Sequence, residues 1–169
     1  MSGVVEAVPE QAQVNVGLIG CGSMGSELAR AVHRGEAGSA RIIGLFDEYQ
    51  PGRDALAKEL GTGNAPEPVQ VETVAELVKL PNIDLIIECA SQVAVVAHAE
   101  TVLSSGASML IMSSGAMISP GFLRAVSAAA YKSGASIYIP SGAVGGIDAL
   151  RASKELLEEV TIVSTKKPI

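Results

Sequence analysis

The chain has 169 residues, the size of one domain that can bury a hydrophobic core. Hydrophobic residues make up 48% and charged residues 18%, a balance that excludes an intrinsically disordered chain. A formal net charge of -6 and the absence of a basic patch with interleaved aromatics argue against nucleic acid and membranes as partners.

The first residues and the cysteines indicate a cytoplasmic protein without a metal site. The stretch 1–13 has neither the basic start nor the apolar centre of a signal peptide, and we expect a flexible extension there. No apolar run approaches the length of a transmembrane helix. Cys21 and Cys89 are far apart and lack C-x-x-C spacing, which indicates a reducing compartment and neither a disulfide framework nor a zinc site.

The first predicted elements form a dinucleotide-binding fingerprint. An apolar strand over Val14 to Ile19 leads into Gly20-Cys21-Gly22-Ser23-Met24-Gly25, and a helix is predicted over Ser26 to His33. In such a motif the first glycine permits the tight turn, the second lets backbone N–H groups reach a pyrophosphate, and the third allows close helix packing. The start of the helix then faces the phosphate charge.

The second predicted strand, Arg41 to Phe46, ends at Asp47 and Glu48, about 20 residues beyond the glycines as the fingerprint requires. We expect Asp47 to accept hydrogen bonds from the adenosine ribose, although an ordinary turn acid is the alternative. A carboxylate at this position repels a 2′-phosphate and therefore favours NAD over NADP. Arg53 lies close enough in sequence to accommodate that phosphate, so NADP remains possible.

Strands and helices alternate along the next part of the chain. Thr73 and Glu76 form a Thr-x-x-Glu capping box, which opens a helix that ends before Pro81. The other predicted helices cover 53–60, 93–104 and 119–132, and the other predicted strands cover 69–71, 84–88, 109–112 and 136–139. This order predicts an α/β fold with a doubly wound parallel sheet of Rossmann type, and a dinucleotide-binding domain over 14–140.

The last part of the chain, 141–169, has a different pattern. A second glycine-rich loop over 141–146 precedes a predicted helix over 147–157 and a predicted strand over 160–165. Because a sheet of one strand is not stable, we expect this part to contain a junction helix and the first strand of an incomplete second domain of α+β type.

Two further loops at strand ends are made largely of small residues. They are Glu88-Cys89-Ala90-Ser91-Gln92 and Ser113-Ser114-Gly115-Ala116-Met117. Ligands of open parallel sheets bind at the carboxyl ends of the strands, so the first loop should border a nicotinamide ribose and the second the nicotinamide ring. Either loop alone is explained equally well by packing, but together with the glycine turn and Asp47 they favour a cofactor cleft.

Candidate acid–base residues are few. His33 and His98 are predicted on helices away from the strand ends, and we interpret both as helix-surface residues. Asp148 is predicted at a helix N-terminus, where the helix dipole alone favours a carboxylate. The sequence contains no recognisable Ser-His-Asp arrangement or paired carboxylates, and we assign no catalytic residue in this chain.

In combination these stretches resemble the L-aspartate dehydrogenases, which convert aspartate to iminoaspartate with NAD or NADP. The resemblance extends over about 14–169 and ends in Thr165-Lys166-Lys167-Pro168. It is based on the glycine turn, Glu88-Cys89-Ala90-Ser91, Ser114-Gly115-Ala116-Met117 and, most specifically, Pro140-Ser141-Gly142-Ala143-Val144-Gly145-Gly146-Ile147-Asp148-Ala149-Leu150.

The resemblance implies a role for each motif. Asp47 would hold the adenosine ribose. The pyrophosphate would contact Gly20, Cys21, Gly22, Ser23, Met24 and Gly25. The nicotinamide side would be bordered by Cys89, Ala90, Ser91, Ser114, Gly115 and Ala116. The junction with the substrate-binding half would include Ser141, Gly142 and Ala143.

Members of that family are about half as long again as this chain, in keeping with two domains, and their catalytic histidine lies beyond its last residue. We therefore expect a truncated, NAD(P)-binding portion of an aspartate dehydrogenase-like oxidoreductase that binds cofactor without appreciable turnover. In full-length members the partner would be the small-molecule substrate L-aspartate, with homo-oligomers formed through the second domain. The alternatives are a non-catalytic NAD-binding sensor, a subunit completed by a partner chain, and the cofactor domain of a homoserine dehydrogenase- or dihydrodipicolinate reductase-like enzyme.

Overall fold

The computed structural model describes residues 12–62, 66–140, 147–161 and 163. The strands are β1 (Val14–Ile19), β2 (Ala40–Phe46), β3 (Val69–Gln70), β4 (Leu85–Glu88), β5 (Ser108–Ile111) and β6 (Ile137–Tyr138). The helices are α1 (Ser23–His33), α2 (Gln50–Leu60), α3 (Val74–Leu77), α4 (Gln92–Ser104), α5 (Pro120–Ser133) and α6 (Ile147–Ala152), with a 3₁₀ helix at Ser114–Ile118.

The six strands form one parallel sheet in the order β3-β2-β1-β4-β5-β6. The direction of winding reverses between β1 and β4, which is the arrangement of the doubly wound dinucleotide-binding fold. The predicted fold class is therefore confirmed. The reversal also places the turn after β1 beside the loop after β4, at the carboxyl edge of the sheet.

Each face of the sheet carries its own hydrophobic core. On one face Val16 and Leu18 of β1 pack in a cluster with buried residues of α1 and α2. On the other face Ile19 and Ile86 belong to a cluster that includes buried residues of α3, α4 and α5. Burial of both faces explains why these strands are almost continuously apolar in sequence.

Several helix boundaries differ from the prediction. α1 begins at Ser23, three residues before the predicted start, because the helix starts inside the glycine motif. α2 begins at Gln50 rather than Arg53, since Pro51 lies in the first turn, where a missing N–H is tolerated. The capping box is confirmed, with Glu76 N donating to Thr73 Oγ1 at 3.2 Å and Thr73 N donating to Glu76 Oε2 at 3.2 Å.

The C-terminal part departs most from the prediction. α6 ends at Ala152 instead of Leu157, and residues 153–156 form a turn. Val160, Thr161 and Val163 are not part of the six-stranded sheet, and residues 162, 164 and 165 lie outside the described residues. The strand over 160–165, which we expect to belong to a second sheet, therefore stays a prediction.

Some predictions fall on parts of the chain that are not described. Residues 1–11 of the expected extension, and 141–146 with Ser141, Gly142 and Ala143, lie outside the described residues. The proposed division into domains therefore stays a prediction. Over the ranges that are described, no helix is both long and apolar enough to cross a bilayer.

Candidate cofactor site

The turn after β1 lies between the ends of β2 and β4, the two strands that flank β1 in the sheet. Gly20 has a φ of +95°, and its N–H donates to Phe46 O at 2.9 Å. A Cβ at this position would lie 2.8 Å from Ala90 N in the loop after β4. Both the left-handed backbone and the close approach require glycine here, in agreement with the tight turn predicted from sequence.

The other two glycines of the turn have contrasting surroundings. A Cβ at Gly25 would overlap the carbonyl oxygen of Gly20, so the helix can approach the turn only because the side chain is absent. At Gly22, in contrast, no described residue other than its two neighbours in the chain has an atom within 4 Å of where a Cβ would be. The third glycine of the motif is thus a packing glycine, whereas the second borders open space.

The N-terminus of α1 has free donors at this open space. Its N-cap is Gly22, and among the described residues no side chain caps it. The helices α3, α4 and α5 are each capped by a hydroxyl, from Thr73, Ser91 and Ser119, whereas α2 also lacks a side-chain cap. Since the first N–H groups of a helix have no intrahelical partner, the uncapped end of α1 fits the pyrophosphate of a dinucleotide.

Asp47 lies directly after β2 and is fixed from both sides. Its Oδ2 accepts a hydrogen bond from Cys21 N in the glycine turn, and its Oδ1 accepts one from Tyr49 N at 2.7 Å. The carboxylate is therefore oriented and tied to the turn. Each oxygen retains a further lone pair, which allows the pair to accept hydrogen bonds from two ribose hydroxyls.

A cavity of about 190 Å³ lies beside Asp47. It is lined by Ile19, Gly20, Phe46, Asp47, Glu48, Ala90, Ser91, Val93, Ala94, Ala97 and His98. Its walls are mostly apolar and one end carries carboxylates, which suits an adenine ring joined to a ribose. None of the four α4 residues in this lining was predicted as a site residue, although positions 93, 94, 97 and 98 share one helix face by spacing.

The prediction for His98 is wrong in part. The residue is half-buried, its ring lies edge-on to Phe46 with centroids 5.7 Å apart, and it borders the cavity beside Asp47. α4 begins directly after the loop that follows β4, and its residues Val93, Ala94, Ala97 and His98 line the cavity together with Phe46 at the end of β2. His33, as predicted, is exposed and distant from the carboxyl ends of the strands.

A second cavity, of about 480 Å³, lies at the opposite edge of the sheet and is bordered by Ser39 and Arg41. These residues flank the start of β2, whereas ligands of open parallel sheets bind at the carboxyl ends. We therefore assign the cofactor site to the smaller cavity, which adjoins the glycine turn.

Arg53 is not available to a 2′-phosphate. Its side chain is 4% exposed, and its NH1 and NH2 groups donate to Val71 O at 2.6 Å and to Glu72 Oε1 at 2.7 Å. The expectation that this guanidinium could accommodate NADP is wrong in this structure. It instead joins α2 to the end of β3.

The loops after β4 and β5 have little side-chain bulk at the edge of the site. The Ser91 hydroxyl accepts from Ala94 N at 3.1 Å and so caps α4. The side chain of Ala116 is buried, and a Cβ at Gly115 would collide with the side chain of Gln92. Backbone and small side chains of Cys89, Ala90 and Ser114 complete these loops, which the structure places side by side.

Both cysteines are packing residues in this geometry. Burial, and next the Asp47 carboxylate, raise the pKa of Cys21 to about 12. Burial, followed by the Glu88 carboxylate, raises the pKa of Cys89 to about 11. Since the thiolate is the nucleophilic form, neither thiol is activated at neutral pH.

A doubly wound sheet binds dinucleotides at the point where its winding reverses. The glycine turn, the uncapped N-terminus of α1 and Asp47 lie at that point. The protein is thus a dinucleotide-binding domain of Rossmann type. Residues 20–140 match the family described as homoserine dehydrogenase, NAD binding domain. The chain belongs to this family, which confirms NAD as its cofactor.

The chain is also similar to curated L-aspartate dehydrogenases. The chain is 35% identical over 153 residues to the L-aspartate dehydrogenase of Nitrosopumilus maritimus, covering 90% of this chain and 54% of the relative. It is 32% identical over 151 residues to that of Archaeoglobus fulgidus, covering 89% and 56%. The chain therefore spans about half the length of these relatives, and the resemblance to L-aspartate dehydrogenases is confirmed over that half.

Solved structures show the same fold. The aspartate dehydrogenase of Thermotoga maritima superposes with a TM-score of 0.59 at 24% identity, covering 85% of this chain and 52% of that one. The WlbA dehydrogenase of Bordetella pertussis, solved with NADH, superposes with a TM-score of 0.68 at 13% identity, covering 86% and 42%. At these identities the comparison establishes the fold alone.

Proposed function

We propose that this chain is the cofactor-binding half of an NAD-dependent dehydrogenase that acts on an amino acid, with L-aspartate as the substrate. The observation that carries the cofactor part is the Asp47 carboxylate, held by Cys21 N and Tyr49 N at the mouth of the 190 Å³ cavity. The identity of 31 to 35% to L-aspartate dehydrogenases supports aspartate over homoserine as the substrate.

In this proposal each part of the site holds one part of the cofactor. The uncapped start of α1 at Gly22 binds the pyrophosphate. Asp47 accepts from the adenosine ribose, and the apolar cavity wall of Phe46 and Ala97 contacts adenine. The loops after β4 and β5 border the nicotinamide riboside. Bound NAD supplies the acceptor for a hydride, while the chain fixes its position and orientation.

The charges beside the ribose support NAD over NADP. Asp47 and Glu48 place two carboxylates at the cavity. The neighbouring guanidinium of Arg53 is engaged with Val71 O and Glu72. A 2′-phosphate at this position would meet like charge without a compensating cation among these residues.

Titration of the chain with NAD and NADP tests the cofactor part of the proposal. We expect NAD to bind more tightly than NADP, and Asp47→Ala to weaken NAD binding by about tenfold or more, since hydrogen bonds to a charged group contribute about 1.5–3 kcal/mol each. Glu48→Ala is the matched control, because it removes the same charge without removing the bonds to Cys21 and Tyr49. Equal losses in both variants, or no loss in Asp47→Ala, would contradict the ribose role.

The remaining parts of the proposal concern the whole enzyme. We expect from the resemblance that Ser141, Gly142 and Ala143 lie near the nicotinamide and the substrate. Homo-oligomer formation and cytoplasmic location stay predictions. We expect this chain alone to bind NAD without turnover, because neither of its two histidines lies at the loops proposed for the nicotinamide. Mixing the chain with aspartate and NAD tests this, and sustained NADH formation would refute it.

A further inference from the structure

Glu88 is a fully buried carboxylate at the centre of the carboxyl edge of the sheet. It is the last residue of β4, and its exposed fraction is 0%. The ion pairs of the described residues do not include it. A buried carboxylate without a cationic partner is costly unless hydrogen-bond donors surround it, so its donors show what this side chain organises.

The donors come from two different loops. Glu88 Oε1 accepts from Ala90 N at 2.8 Å, in the loop after β4, and from Ser113 Oγ at 2.9 Å, in the loop after β5. Glu88 Oε2 accepts from Ser113 N at 3.0 Å. One carboxylate therefore holds the two loops at a fixed distance from each other.

The same contacts reach the glycine turn. The Ala90 N–H that Glu88 fixes lies against Gly20, where an added Cβ would be 2.8 Å from Ala90 N. Cys89 N also donates to Ile19 O at 2.8 Å. The positions of the pyrophosphate turn, the loop after β4 and the loop after β5 are thus set by a continuous series of short contacts centred on Glu88.

We propose that Glu88 is a positioning residue that sets the spacing of the two loops bordering the nicotinamide riboside, and that it does so through the hydrogen bonds its two side-chain oxygens accept. This inference rests on the cofactor placement proposed above. It predicts that loss of Glu88 weakens binding of the nicotinamide half of NAD more than binding of the adenosine half, because Ala90 also lines the adenosine cavity whereas Ser113 does not.

Glu88→Gln removes one acceptor oxygen while keeping the size of the side chain. An amide has almost the same size, but its NH₂ group must replace Oε1 or Oε2. In one orientation it faces the Ala90 N–H, and in the other it faces the Ser113 N–H. Either way a donor meets a donor and one buried N–H loses its acceptor, so the loops must move apart.

The experiment compares NAD with AMP, which carries only the adenosine half. We expect Glu88→Gln to weaken NAD binding by about tenfold, equivalent to about 1.4 kcal/mol, and to weaken AMP binding by a clearly smaller factor, because Ser113 does not line the adenosine cavity. A purely structural role would lower the melting temperature and weaken both ligands alike. Equal weakening of NAD and AMP, or unchanged affinity for NAD, overturns the inference.

Two further variants keep the test decisive. Asp84→Asn is the control, because Asp84 directly precedes β4 at its other end and its Oδ2 accepts from Asn15 N at 2.8 Å. We expect this variant to bind NAD and AMP with unchanged affinity. Ser113→Ala removes the hydroxyl donor to Glu88 but keeps the N–H donor. This variant tests the role of Glu88 if Glu88→Gln does not fold. We expect it to weaken NAD by a smaller factor and AMP not at all, and unchanged NAD binding overturns the inference.

The affinities of the wild-type chain for NAD and AMP test the cofactor placement separately from the role of Glu88. If it binds NAD no more tightly than AMP, the loops do not contact the nicotinamide half, and the placement fails together with the inference. If the wild-type chain binds NAD more tightly than AMP, and Glu88→Gln shows the same ratio of NAD to AMP affinity, the cofactor placement stands and only the role of Glu88 is overturned.

Discussion

Substitution of two glycines in the same turn should separate folding from cofactor binding. In Gly25→Ala the added methyl group would overlap the Gly20 carbonyl oxygen. That oxygen belongs to a turn fixed by the bond from Gly20 N to Phe46 O at 2.9 Å and by contact with Ala90, so it cannot move aside cheaply.

The magnitude follows from two opposing effects. Forced overpacking costs about 1–3 kcal/mol, and the upper end applies because the obstacle is backbone. Alanine regains at most about 1 kcal/mol in a helix relative to glycine. The net expectation for Gly25→Ala is a loss of about 2 kcal/mol in the free energy of unfolding, measured by urea denaturation with an unchanged slope.

Gly22→Ala is the matched comparison, because its methyl group would enter space that is open in the described structure. Its φ of -69° and ψ of -166° are accessible to alanine, and we expect a stability loss below about 1 kcal/mol. The same methyl group would occupy the space assigned to the pyrophosphate, so NAD affinity should fall about tenfold or more. Wild-type stability of Gly25→Ala, or wild-type NAD affinity of Gly22→Ala, would refute the reasoning for the respective glycine.

Two other predictions concern local features. Thr73→Ala removes the capping box of α3 and should lower the free energy of unfolding by about 1 kcal/mol in urea denaturation. Thr62→Ala is the comparison: it removes one exposed hydroxyl that donates to Glu59 O at the C-terminal end of α2, and it should change the free energy of unfolding by less than about 0.5 kcal/mol. Equal effects would show that the box does not stabilise the fold. Burial raises the pKa of Cys21 to about 12 and that of Cys89 to about 11. Near neutral pH, iodoacetamide should therefore modify both thiols far more slowly in the native chain than in the urea-unfolded chain. The rate of modification of the native chain should rise through alkaline pH as the thiolates form. Equal rates in the two states, followed by mass spectrometry, would contradict the packing role.

The fold and the cofactor side of the site could be predicted because their signals are local. Each strand is a short apolar run, and the spacing from the glycine turn to Asp47 lies within one β-α-β unit. The helix starts were less predictable, since a helix that begins inside a glycine motif, as α1 does at Ser23, shows no capping residue in sequence.

The features that were missed depend on neighbouring strands. The sequence identifies Glu88 only as the end of a strand, because its partner Ser113 is 25 residues away in the adjoining loop. His98 joins the cavity through its ring contact with Phe46 at the end of β2, and Arg53 is held by Val71 O directly after β3. Such contacts between distant segments have no signature in a single sequence.

The central claim is that NAD binds where the winding of the sheet reverses, between β1 and β4. The most direct test is to follow the backbone amide signals of the isotope-labelled chain by NMR while NAD is added. We expect the largest shifts at Gly22, Ser23 and Met24 and at residues next to Asp47, with saturation at one NAD per chain. No saturable shift at the glycine turn, or shifts confined to Ser39 and Arg41 at the opposite cavity, would contradict the account.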